Sequence, residues 1–373
     1  MSKEPLVYQL AITMIPGIGA ITARKLIDYL GSPEAVFREK SSSLRRIPGV
    51  GLHLARQIST SDLLAEAERE IGQMHKYRIS SVYYRDESYP WRLKNCEDGP
   101  LLLFYRGKPA FERERMISVV GTRNASSYGK EQTQAIIREL SEEYPDLVII
   151  SGLAYGIDIT AHRSALNNGL DTFAVMAHGL QTIYPSSHAG SAAKIIEKGA
   201  LLSDFPTSIQ PERNNFLRRN RIIAGLAEAT VIIESGRKGG AMITADLASS
   251  YSREVFAIPG RTTDFRSAGC NRLIKDNVAA LITSGKEIAQ LLGWEQPAHT
   301  NQPVPVLLKN ISAEESKILK ELNECPGLGL DILAVRTHIP VYKLSGLLLQ
   351  MELNNWISVL PGNHYKALAQ SAT

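Results

Sequence analysis

Between residues 76 and 293 the chain alternates short apolar runs with stretches whose apolar residues recur every three or four positions. The runs are Ile79–Tyr84, Leu101–Tyr105, Met116–Val120, Leu147–Ile150, Thr172–Met176, Thr230–Ile233, Val255–Ile258 and Ala279–Ile282. Runs this short and this apolar predict strands buried on both faces, and the stretches between most of them predict covering helices. The expected class is therefore α/β with a mainly parallel sheet. In such sheets ligands sit outside the carboxyl ends of the strands.

The flanks carry other patterns. Residues 1–75 read as helical and repeat the pattern I-P-G-[IV]-G at Ile15–Gly19 and Ile47–Gly51, 32 residues apart. Each copy leads into a helical stretch, which is the helix-hairpin-helix signature. Its glycines, Gly17, Gly19, Gly49 and Gly51, allow a close approach of backbone amides to a nucleic-acid phosphate. A hairpin used only for packing explains the same residues, and the nearby Arg24, Lys25, Arg45, Arg46 and Arg56 favour contact. Residues 294–310 are rich in proline and polar side chains and read as a linker. Residues 311–373 predict three helices, centred on Ile318–Leu322, Leu330–Val335 and Leu344–Leu353, followed by a hairpin from Trp356 to Tyr365. Three helices and a hairpin suggest a winged helix. Its third helix carries one basic residue, Lys343, so packing or protein contact is expected there rather than base reading.

Chemistry concentrates at the turns after the strands. Met116–Val120 runs into Gly121, Thr122 and Arg123 and then a helical stretch, a geometry that presents amides and a helix N-terminus to an anion. Gly121-Thr-Arg-Asn-Ala-Ser126 is not G-x-G-x-x-G, so the dinucleotide fingerprint fails. A second turn, Ser151-Gly-Leu-Ala-Tyr-Gly-Ile-Asp158, offers Ser151 and Gly152 at the adjacent strand end. Asp158 and His162, four residues apart, share a helix face and read either as a packing contact or as an acid/base pair. No nucleophile stands beside them, which favours the first. His178 follows the next strand, as a structural residue or a phosphate or base contact. The densest charge lies at Arg213–Arg221, where Arg213, Arg218, Arg219 and Arg221 surround Phe216, with Asn220 among them. Guanidinium groups beside an aromatic face suit single-stranded nucleic acid, although charge runs are commonly solvated. A last glycine-rich turn, Glu234–Ala241, carries Arg237 and Lys238 but is no P-loop, since G-x-x-x-x-G-K-[ST] occurs nowhere.

Bulk properties narrow the field only slightly. The chain has 373 residues and a net charge of +4, from 42 Lys+Arg against 38 Asp+Glu, so a nucleic-acid role has to rest on local clusters. Three scattered cysteines give neither a zinc motif nor a disulfide framework, and no metal or cofactor is expected. No apolar run approaches the ~20 residues of a membrane span, and the first residues lack a signal-peptide pattern. A reducing cytoplasm is the expected location.

Taken together, several motifs resemble the DNA-processing protein A (DprA/Smf) family. They are Val120-Gly-Thr-Arg123 with Ser127-Tyr-Gly129, Ser151–Asp158 with Ala161-His162, and Gly179-Leu180 with Tyr184-Pro185. They continue through Asn215-Phe216, Arg219–Leu226, Ile243-Thr-Ala245, Pro259-Gly260 and Asn271–Ile274, in family order. The resemblance implies an extended Rossmann-like domain, preceded by a helix-hairpin-helix domain and followed by a winged-helix domain. It implies a homodimer that binds single-stranded DNA without sequence preference and loads the RecA recombinase during natural transformation, without catalysis. A single-strand-binding protein is a further expected partner. It carries the DNA pocket to Gly121, Thr122, Arg123, Ser151 and Gly152, with the basic segment Arg219, Asn220 and Arg221. His178, Phe216, Arg218, Arg237 and Lys238 join them on their chemistry. The family pattern is altered at Ala177-His178, Gln181, Leu217 and Gly240-Ala241. Two rival functions remain: a nucleotide phosphoribohydrolase using Glu234, Asp158 and His162, and a sequence-specific regulator acting through the winged helix.

Overall fold

A computed structural model describes residues 4–60, 62–294, 312–325, 327–354, 356–360 and 364–368. The chain divides into two compact units, Met1–Trp294 and Glu295–Thr373. The linker expected at 294–310 lies outside the described residues except for Trp294.

In the first unit, among the described residues, nine strands form one sheet. They are β1 (Ser80–Tyr83), β2 (Leu102–Gly107), β3 (Met116–Val120), β4 (Val148–Ser151), β5 (Asp171–Val175), β6 (Ala200–Ser203), β7 (Ala229–Ile232), β8 (Glu254–Ala257) and β9 (Ala280–Leu281). The spatial order is β1-β2-β6-β5-β4-β3-β7-β8-β9. The run from β6 to β9 is parallel, and β2 joins β6 antiparallel. All but one of these strands match runs read from the sequence. The exception is β6: its four residues follow Ile195 and Ile196 of a helix, so its apolar positions merged with that helical period.

The strands bury both faces. Ile117 and Val119 of β3 face a cluster holding Ile136, Ile137 and Leu140 of the helix Ser127–Glu143 and Ile157, Ala161 and Ala165 of the helix Ile157–Asn167. Met116 and Val120 face the opposite cluster, with Ile222 and Ile223 of the helix Arg213–Leu226 and Ala241 and Ala245 of the helix Gly240–Ser250. This is the doubly wound, Rossmann-like arrangement. From β3 the chain crosses to β4, β5 and β6 on one side and returns to β7 on the other. The strand order therefore reverses at β3/β7, which opens a crevice at their carboxyl ends.

Among the described residues, six helices precede the sheet: Pro5–Met14, Ala20–Leu30, Pro33–Arg38, Ser41–Leu44, Leu52–Thr60 and Leu63–Tyr77. The two repeat copies are built alike, bond for bond. Ile18 and Val50 amides bond the carbonyls of Ile15 and Ile47, and Ala23 and Ala55 bond those of Gly19 and Gly51. Gly17 and Gly49 hold φ of +77° and +89°, a conformation that favours glycine. Buried Leu10, Leu26 and Ile27 share one continuous core with Leu102 and Leu201 of the sheet. Arg24 donates to the Cys96 and Gly99 carbonyls at 3.0 and 2.9 Å, so it fastens this segment to the α/β body.

In the second unit, helices Ala313–Glu324, Leu330–Thr337 and Val341–Leu353 precede a small sheet. Its strands are β10 (Leu328–Gly329), β11 (Ile357–Leu360) and β12 (His364–Ala367), ordered β10-β12-β11. Ile318, Leu322, Leu333, Leu344, Leu348 and Met351 form its core. Helices plus an antiparallel hairpin give the expected winged helix; the turn at 361–363 lies outside the described residues. Lys343, the lone basic residue of the third helix, pairs with Glu314 at 2.6 Å. Among the described residues, no single helix is long and apolar enough to cross a membrane.

Buried Glu70, on the helix Leu63–Tyr77, accepts both the amide and the hydroxyl of Thr207 at 2.7 Å each. Glu70→Ala leaves a buried N–H unpaired and is expected to lower unfolding free energy by about 1–3 kcal/mol. Urea denaturation checks this as a lower midpoint at unchanged m.

Candidate nucleic-acid interface

The crevice at β3/β7 is a cleft of about 720 Å³; Ala154 and Asp158 of the turn after β4 and Tyr184 of the loop after β5 reach it along with the segments that follow. Gly121, Thr122 and Arg123 come from the turn after β3, and Ser235, Gly236 and Lys238–Ala241 from the turn after β7. Arg213, Phe216, Arg219 and Asn220 come from the helix Arg213–Leu226, and Phe265 and Arg266 from the loop after β8.

One wall is a ladder of rings and cations. The Arg123 guanidinium lies 5.1 Å from the Phe216 ring centroid, and Phe216 lies 5.9 Å from Tyr184. His178 stands behind Tyr184 at 6.5 Å. A cation over an aromatic face holds its charge in a fixed place at little entropic cost. Arg123 itself is exposed and makes no ion pair among the described residues. Tyr184 is 48% exposed.

The turns behave differently from the expectation of free amides at β3 and β4. At the first turn, Ser126 caps the helix Ser127–Glu143 by accepting the Gly129 amide, and its own amide and hydroxyl both donate to the Glu234 carboxylate, which reaches in from another strand end. Thr122 donates to the Glu234 carbonyl at 2.7 Å. At the second turn, the buried Asp158 carboxylate accepts the Ala154 amide and faces that of Gly152. The protein's own carboxylates therefore occupy both anion positions. Ser151 is buried and donates to the Val119 carbonyl at 2.7 Å. A Cβ on Gly152 would strike the Arg219 guanidinium, and one on Gly121 would strike Ile157. On the side where a Cβ would stand both glycines admit protein neighbours; Gly121 still lines the cleft, whereas Ser151 and Gly152 do not. The open anion position lies at the third turn instead. The helix Gly240–Ser250 has Gly239 as N-cap, no side-chain cap and no acidic residue in its first turn. Its N-terminus and Lys238 face the cleft, where backbone dipoles favour negative charge.

The arginine run also divides. It lies on a helix, so its side chains leave in different directions. Arg213 lines the cleft, and Arg219 is buried under it, bonded to the Val175 carbonyl. Arg221 is held by Asp204 and the Asp98 carbonyl, and Arg218 stacks 4.9 Å over Phe205. Neither Arg218 nor Arg221 reaches the cleft, and Arg237 is exposed outside its lining. The Asn220 side chain donates to the Gly240 carbonyl at 3.2 Å and so joins two walls. The four hairpin glycines have no neighbour where a Cβ would stand, which leaves their backbone open. Phe265 and Arg266 were not singled out from the sequence. Arg266 lies 4.7 Å over Phe265 and bonds the Asn124 carbonyl. The available signal was an aromatic–arginine doublet directly after a strand at the same sheet edge.

Asp158 and His162 form no pair. His162 Nδ1 lies 2.7 Å from the Thr172 hydroxyl, which already donates to the Ile149 carbonyl. Nδ1 therefore carries the proton and donates, while Nε2 stays buried without a partner. Burial, with the Arg219 charge nearby, pushes His162 down to about 3. Burial pushes Asp158 up and Arg219 down to about 10, each charge opposing the other's shift. His178 is likewise lowered by burial, its Nδ1 donating to the Gly179 carbonyl.

The profile of the family described as DNA recombination-mediator protein A matches residues 80–293. The chain belongs to that family. The family's winged-helix domain matches residues 296–363. The DNA processing protein DprA of Streptococcus pneumoniae is 40% identical over 211 residues, 57% of this chain and 73% of the relative. Protein Smf of Escherichia coli is 35% identical over 296 residues, 75% of each chain. Among solved family structures, that of S. pneumoniae DprA superposes with TM-score 0.66 at 32% identity, covering 78% of this chain and 98% of that one. A Helicobacter pylori family structure, described for its single-stranded DNA binding mode, superposes with TM-score 0.53 at 28% identity, covering 58% and 97%.

The buried neutral His162 yields a signed prediction. Its depressed folded value means its contribution is complete above the unfolded value of 6.5 and is lost as pH falls toward 3. Unfolding free energy is expected to drop by about 2 kcal/mol between pH 7.5 and 5. Urea titrations at the two pH values check it, with His162→Gln flattening the dependence.

Proposed function

We propose that the cleft binds single-stranded DNA without sequence preference. The observation that carries this is the Arg123–Phe216–Tyr184 ladder facing the uncapped N-terminus of the helix Gly240–Ser250. The rings offer stacking surfaces to bases of any identity, while Arg123, Arg213, Lys238 and Arg266 meet phosphates around them. The binding mode described for the H. pylori relative supports the same reading. Of the residues expected from sequence, Gly121, Thr122, Arg123, Phe216, Asn220 and Lys238 line the proposed site, and Arg219 supports its floor. His178 backs the ring ladder.

The family's designation as a recombination mediator extends the proposal. The bound strand is handed to the RecA recombinase, during natural transformation or general recombination in the cytoplasm, by a homodimer. The protein acts without catalysis. The groups that a phosphoribohydrolase would need are engaged elsewhere: Glu234 holds Ser126, and His162 is fully buried. A regulator reading duplex DNA would need basic side chains on the third helix of the winged unit, where Lys343 is tied to Glu314.

Arg123→Ala is expected to weaken binding of all oligonucleotide sequences and to make the log–log salt slope shallower by about 0.7 for one lost phosphate. Phe216→Ala is expected to cost about 1–3 kcal/mol through lost stacking. Anisotropy titrations over a salt series measure both, and unchanged affinity in the two variants would sink the assignment.

A further inference from the structure

A second groove leaves the cleft at Arg123. Its volume is 750 Å³, and it runs between the helices Ser127–Glu143 and Ile157–Asn167. Lys130 and Arg138 line one side, eight residues apart on one helix, so about 12 Å separates them along the axis. Arg163 lines the other side. No carboxylate lines the groove, and none of these three cations makes an ion pair among the described residues. Arg163 bonds only the Ser191 hydroxyl, at 3.3 Å. Tyr155, 50% exposed, stands at the groove wall, packed edge-on against buried His188 at 4.9 Å.

Four unpaired cations in one groove repel each other and destabilise the free protein unless an anion joins them. The arrangement is not required by packing, because the same helices bury Ile136, Ile137, Leu140 and Ala161 on their other faces. The occupant is named by continuity: Arg123 belongs to both the cleft and the groove.

The geometry points to the groove as a second segment of the same binding track, which takes the phosphodiester backbone of a strand as it leaves the cleft past Arg123. This rests on the cleft reading and adds to it a length and a direction. The strand crosses the outer face of the helix pair, with Tyr155 as a stacking post at the bend and Lys130, Arg138 and Arg163 as backbone contacts. The groove holds cations without a ring ladder, so it adds affinity that depends on salt and length but not on base identity.

The test compares oligothymidylates of about 6 and about 20 nucleotides, spanning the site sizes of single-strand binders. The variant is Lys130→Ala/Arg138→Ala/Arg163→Ala, three exposed positions outside the cleft. The short strand is expected to bind the variant within twofold of wild type. The long strand is expected to lose at least about tenfold, with its salt slope shallower by about 2, as three lost single-strand contacts require. Equal binding and equal slope for the long strand would overturn the groove and leave the cleft standing. Loss confined to duplex DNA would overturn it as well, since the groove would then serve a different ligand. Failure of the short strand to bind wild type would remove the cleft reading, and the groove with it. Tyr155→Ala gives an independent arm: it should weaken only the long strand.

Discussion

Arg219 is a guanidinium buried at the carboxyl edge of a parallel sheet, and much of the surrounding architecture answers to it. A buried charge is tolerated only with partners that replace its water. Asp158 supplies the opposite charge and the Val175 carbonyl an acceptor. Gly152 is small because the guanidinium lies where its Cβ would stand. The same positive charge helps hold His162 neutral and opposes Arg123 across the cleft floor. The floor thus holds a guanidinium and a carboxylate together beneath the cleft, and Arg123 is left at the surface with Phe216 to hold it.

The internal carboxylates complete this arrangement. Two helix N-termini that would attract phosphate are filled by Glu234 and by Asp158. On the proposed reading, a strand entering the cleft would meet, among the described residues, one open helix terminus, that of Gly240–Ser250, and a set of side-chain cations. An anion preference concentrated at one point, opposite a ring ladder, would give a polynucleotide a direction to lie in. A cleft with three equivalent phosphate sockets would hold a compact nucleotide as readily as a chain.

Much of this was legible in the linear order of residues. The strands announced themselves as apolar runs because a parallel sheet buried on both faces leaves no polar alternation to confuse them. The hairpin copies were visible because a positive φ restricts Gly17 and Gly49 so strongly. Ala200–Ser203 was not visible as a strand, since four residues beside a helix carry too little period of their own. Arg123, Phe216 and Lys238, grouped on their chemistry, do line one cleft. Arg218 and Arg221 were grouped with them because closeness in sequence resembles closeness in space, which a helix undoes within two residues.

The sequence by itself determined the class of fold, the winged-helix unit that follows it, a repeated glycine motif ahead of the sheet, and the strand ends where Arg123 and Phe216 meet. These follow from local periodicity and from residue types whose chemistry is narrow. Only the tertiary structure decided which turns stay open to an anion. Glu234 holds the N-cap serine of a helix more than a hundred residues away, and Arg219 fills the space that made Gly152 look like a phosphate turn. A glycine reports that something comes close to the backbone. Whether that neighbour is a ligand or the protein's own side chain depends on contacts between distant segments, and folding alone brings those together.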